Sequence, residues 1–149
     1  MTFTARWTIL ICSFFGIADS AYLTDQALRG VPPTCSIGGA DGCRTVAESA
    51  YSHLFGIPLG IYGIAFYTAI FVLIAVVLLW PHRHVQAAIQ AFAVLGVGAS
   101  LIFMGIQFFL IHAMCIYCES SAALTVFILI AAFWRLPQAT WSPSHPPVP

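Results

Sequence analysis

The chain contains five cysteines, and four of them form two couples whose spacing suits thiol chemistry. Cys115 and Cys118 frame Cys-Ile-Tyr-Cys at the head of the last apolar segment, so both sulfurs fall on one helix face within bonding reach. The first turn of a helix presents unpaired N–H groups and a partial positive charge, which favour a thiolate and make it a better leaving group. Redox exchange is the natural reading of that placement, although a metal knuckle or an inert bridge uses the same C-x-x-C pattern. Cys35 and Cys43 bracket a polar stretch with Gly38, Gly39 and Gly42, whose freedom would let one cysteine move while the other stays engaged. A plain loop-stapling disulfide fits that pair equally well. The gap between them is wider than a zinc knuckle uses, and no metal site is expected.

Helices must position these residues, because the composition belongs to a membrane protein. Hydrophobic residues fill 60% of 149 positions, charged residues 7%, and mean hydropathy is +0.94. This excludes a soluble domain and a nucleic-acid binder. Four apolar stretches run from about Trp7 to Leu28, Ile57 to Trp80, Val85 to Ala113 and Met114 to Trp134, each long enough for one crossing. Helices are required there, since lipid satisfies no backbone groups. Pro58 suits the first turn of the second helix, and Pro81 and Pro137 mark the ends of the second and fourth. Asp19 interrupts the first stretch, which is too long for a cleaved signal core. The expected fold is an all-α membrane protein, a four-transmembrane-helix bundle with a short amphipathic lid helix in the first outer loop. Residues 1–136 make up the bundle domain, and 137–149 a Pro-rich disordered tail.

Charge orients the bundle. Arg6, Arg83 and Arg135 share one side without an acidic residue, whereas Arg29 and Arg44 sit among Asp25, Asp41, Glu48 and Glu119 on the other. The bias places the cysteine loop outside the cytoplasm, where disulfides persist, and the termini inside. After Cys43, the spacing of Val46, Ala50 and Leu54 predicts the lid helix on the membrane surface. Phe103, Gln107 and Ile111 share one face of the third helix near its outer end, with Leu59 atop the second, and they are candidates to line a ligand slot. Asp19 is costly in lipid and is either functional or hydrated near the outer end. His112 is a candidate proton carrier or an interface marker, Cys12 a small buried hydrophobe, and Trp7, Trp80 and Trp134 an interfacial aromatic belt.

Cys35-x7-Cys43, Val46, Ser49, Tyr51-Ser52, Phe55-Gly56-Ile57-Pro58 and Cys115-Ile-Tyr-Cys118 together resemble a bacterial member of the vitamin K epoxide reductase family, over about residues 14 to 125. The disulfide-bond protein B family does similar chemistry, but its C-x-x-C lies in the first outer loop. The resemblance implies a bundle around a quinone, ubiquinone or menaquinone, in the bacterial inner membrane, with Ser49 facing the ligand from the lid. It implies that Cys35 forms the mixed disulfide with a thioredoxin-like periplasmic partner, that Cys43 attacks Cys115, and that Cys118 donates to the quinone. Members with a fused thioredoxin-like domain carry it after a fifth helix, so a separate partner is expected. The human member has a tyrosine four positions beyond the motif where this chain has Ala122, which disfavours epoxide reduction. The competing expectation is a non-catalytic membrane scaffold with two static outer disulfides.

Overall fold

The computed structural model describes residues 3–33, 35, 42–80 and 82–134. Gly38, Gly39, Pro81, Arg135 and the tail from Pro137 lie outside the described residues. The described chain forms α1 (Phe3–Arg29), α2 (Gly42–Ala47), a 3₁₀ turn (Ala50–Ser52), β1 (His53–Leu54), β2 (Ile57–Pro58), α3 (Leu59–Leu79), α4 (Arg83–Ile106) continued by a π-helical turn (Gln107–Ile111), and α5 (Ile116–Phe133). Four of these, α1, α3, α4 with its π turn, and α5, are long and apolar enough to cross a membrane. The chain is a multi-pass all-α membrane bundle.

Each spanning helix packs mainly against two others: α1 lies against α3 and α5, and α4 closes the ring against the same two. Small residues make this possible without the hydrophobic drive that water supplies. The buried stripe of α1 is Ala5, Ile9, Ser13, Gly16, Ser20 and Thr24. Opposite it, a side chain at Gly60 or Gly63 would collide with Thr24 and Ser20, and one at Gly16 would overlap the Tyr67 ring. Toward the α3–α4 turn, Ile9, Ile70, Ile74, Val77, Ile89 and Ile128 are fully buried and fill the centre. Trp7, Trp80 and Trp134 are exposed at that same end, as an interfacial belt requires.

The connection after Cys43 differs from the expected lid. The helix ends at Ala47 instead of running on through Leu54. Hydroxyls compete for the carbonyls there: the Ser49 Oγ donates to the Val46 carbonyl at 2.7 Å, and the Ser52 Oγ to that of Ser49 at 2.9 Å. The chain then reverses in a hairpin pairing His53 with Pro58 and Leu54 with Ile57. Phe55 and Gly56 form its two-residue turn with φ of 54° and 78°, the left-handed pair that matches strand twist.

Candidate functional site

All four paired cysteines gather where α1 ends and α3 and α5 begin. Cys35 and Cys43 are bonded to each other, with Cα atoms 5.7 Å apart, and Cys43 is wholly buried. Gly42 matters less for bending than for contact: a Cβ there would run into the Met114 carbonyl, so glycine lets α2 press onto the segment before Cys115. The disulfide is thereby held close to the second couple.

Cys115 and Cys118 are free thiols. Cys115 precedes the first turn of α5 with extended backbone, and its N–H donates to the Gln107 Oε1 at 2.9 Å. Gln107 is 4% exposed and opens the π turn, whose geometry aims its amide at the cysteine motif. The turn ends at His112, which is exposed and left-handed at φ 55°, while the Ala113 N–H returns to the Gln107 carbonyl. The Cys115 thiol is pulled down to about 7 from its ordinary 9.0, chiefly by a hydrogen bond from the Cys118 thiol. Backbone N–H groups of Cys118 and Tyr117 assist, against burial and the charge of Asp19. A thiolate is thus accessible at Cys115 near neutral pH.

Two cavities meet at this motif. The smaller, about 260 Å³, is lined by Val31, Pro33, Cys43, Cys115 and Cys118 beneath the lid segment. The larger, about 390 Å³, lies between the helices and is mostly apolar, with Phe66, Phe103 and Met104 among its walls. Cys118 is the one cysteine among the described residues that faces both. The sequence candidates Ser49, Leu59, Phe103, Gln107 and Ile111 all line the larger cavity.

Sequence reasoning missed further polar groups on that cavity. Tyr67 donates its hydroxyl to the Ser121 carbonyl at 2.8 Å and meets the Ser121 Oγ at the same distance. The Ser100 hydroxyl reaches that of Thr125 at 3.2 Å, and Thr125 in turn donates to the Ala122 carbonyl. A signal existed for Tyr67, since a hydroxyl in the middle of the apolar α3 calls for a partner. Ala122 does not line the cavity, whereas Ser121 and Thr125 on either side of it do.

The donor set suits a flat apolar ligand that carries a few polar groups. The cavity combines an apolar slot with a few hydroxyl and amide groups beside the Cys118 sulfur. Among the described residues, no group of three or more histidine, cysteine or acidic side chains is placed to hold a metal ion. A family model described as the vitamin K epoxide reductase family matches residues 7–133. A search of individually curated proteins returns no match.

Proposed function

Because the chain belongs to the vitamin K epoxide reductase family, whose members are thiol oxidoreductases, we propose that it passes electrons from a reduced thioredoxin-like partner to a membrane quinone and so supports disulfide formation. One observation carries the reading. Cys118 sits on the wall shared by both cavities, so thiol exchange and electron delivery proceed on its two sides.

The order follows from who touches what. A partner thiolate attacks Cys35, breaks the Cys35–Cys43 bond and frees Cys43, which lines the smaller cavity with Cys115. Cys43 attacks Cys115 of a closed Cys115–Cys118 bond, and Cys118 leaves as a thiolate facing the larger cavity. When the partner closes its own disulfide, Cys35 is released and attacks Cys43, and Cys115 departs. Its thiol, held at about 7, makes it a good leaving group at that step. The resulting state, an outer disulfide above two inner thiols, is the one seen here. A quinone held by Phe103, Ile111, Leu59, Ser49 and Gln107 supplies a sink for two electrons and two protons. Closing Cys115–Cys118 releases that electron pair and restores the starting state.

Orientation supports the same reading. Arg29 and Arg44, at the cysteine end, are ion-paired with Asp25 and Glu48. Arg6 and Arg83, near the other end, favour the cytoplasm, which leaves the cysteines on the outer face of a bacterial inner membrane. Two static bridges are not favoured, because Cys115 and Cys118 are thiols. The test is quinone reduction driven by a reduced thioredoxin-like protein. Replacing Cys43 or Cys115 with alanine brings the rate to that of protein-free membrane; wild-type rates in both variants overturn the relay.

A further inference from the structure

The larger cavity holds a carboxyl that the relay above does not use. Asp19 lies on α1 one turn beyond Gly16, at the level where the Tyr67 hydroxyl meets Ser121, and lines the cavity together with Cys118. Its Oδ2 is shut off from solvent and has no hydrogen-bond partner among the described residues. Neither ion pair among the described residues includes it. A carboxyl oxygen enclosed in an apolar bundle without a cation or a donor is expensive to keep, and such residues mark proton routes.

We propose that Asp19 is the proton carrier of the larger cavity, taking the Cys118 thiol proton on Oδ2 and returning it to the oxygen of the electron acceptor. This inference rests on the thiol-to-quinone reading. The balance closes. The dithiol holds two protons and, on forming the Cys115–Cys118 bond, gives up one electron pair. The Cys118 proton travels through Asp19 to one acceptor oxygen, and the Cys115 proton, given up to water as that thiol ionises, is matched by one that the second acceptor oxygen takes from water, so acceptor and two thiols become reduced acceptor and one disulfide. Without such a carrier, a buried thiolate and a reduced oxygen would form side by side in a medium that tolerates neither.

Other groups that titrate near Asp19 come from each neighbouring element. Cys12 shares α1, Tyr67 faces it from α3, and Cys115, Tyr117 and Cys118 face it from the start of α5. Tyr51 and Tyr62 line the same cavity, and α4 with its π turn contributes the neutral Ser100 and Gln107.

The first test needs no quinone. In reduced, quinone-stripped protein, alkylation of Cys118 by iodoacetamide is mapped by mass spectrometry across a pH series for the wild type, Asp19→Asn and Asp19→Glu. Two interacting acids give a two-step profile. Cys115 contributes one such step in every variant; the wild type and Asp19→Glu are expected to share a further inflection that Asp19→Asn lacks, and superimposable Asn and wild-type profiles overturn the proposal. The second test is the rate at which pre-reduced protein reduces a soluble quinone, where Asp19→Asn is expected to lose about 100-fold and Asp19→Glu to recover most of it. Cys118→Ala separates the two ideas. If Cys118→Ala still reduces quinone, the parent reading fails; if it does not and Asp19→Asn matches the wild type, only the Asp19 inference fails. Should Asp19→Asn not fold, wild-type protein with ¹³C-labelled aspartate answers the question by infrared difference between the dithiol and disulfide states. A carboxyl band that shifts between them supports the proton carrier, and an unchanged carboxyl region overturns it.

Discussion

Near the α3–α4 turn, Ile9, Ile70, Ile74, Ile89 and Ile128 are fully buried and close the space between the helices. At the cysteine end the same four helices leave about 390 Å³ open, bordered by Asp19, Gln107, Cys118 and Ser121. One helix pair shows how this comes about. Along α1 and α3, tight contacts at Gly16, Gly60 and Gly63 hold the backbones together. On α4, Gly96 packs closely on the Phe66 ring, and toward the cysteine end Ala99, Ser100 and Phe103 line the open space with it. The bundle is thus a packed anchor at one end and an open chamber at the other, and substitutions should sort by end.

The largest effect is expected from filling the chamber. Ser100→Trp places an indole where Ser100 now meets Thr125, and quinone reduction should fall to background while Cys35–Cys43 exchange with a partner persists. Normal turnover with the indole in place would show that the acceptor binds elsewhere.

The cysteine end also changes the acidity of a thiol, and this sharpens the contrast. Because the Cys115 pKa is lowered from 9.0 to about 7, the reactive thiolate is present above that pH and is lost as the pH falls through it. Alkylation of Cys115 in the reduced protein should therefore rise tenfold per pH unit below about 7 and level off above it. Cys118→Ala removes the largest cause, and the midpoint should move back toward 9.0. A wild-type midpoint already near 9.0 would remove the leaving-group argument.

A smaller contrast separates stability from turnover. Ile74→Ala, in the packed end, should cost roughly 2 kcal/mol in a denaturant unfolding assay with little change in rate, through the cavity it leaves. Phe103→Ala only enlarges an existing space, so it should cost less than about 1 kcal/mol and raise the KM for quinone. Equal stability losses would mean that the two ends are packed alike.

Much of this contrast was legible in the residues. Hydropathy fixed four crossings, and Cys115 and Cys118 announced themselves by spacing and by their position at a helix start. The face shared by Phe103, Gln107 and Ile111 followed from helical periodicity. What escaped was set by tertiary contact. Val46, Ala50 and Leu54 keep a helical period, yet serine hydroxyls end the helix and a hairpin takes over. Its turn was hidden because phenylalanine seldom adopts a positive φ, so Phe55-Gly56 carries no common turn signature. The π turn at Gln107–Ile111 has no local signature either, and its purpose appears only when Gln107 is seen to accept the Cys115 N–H. Gly42 looked like a hinge and proved to be a point of close approach.

Covalent contact between the two couples is the core of the account, and one trapping measurement addresses it. Cys118→Ala protein is oxidised by stages, resolved on a non-reducing gel and digested for mass spectrometry. A disulfide-linked peptide pair joining Cys43 to Cys115 is the predicted result; its absence at every redox poise, with Cys35–Cys43 intact throughout, would contradict the relay.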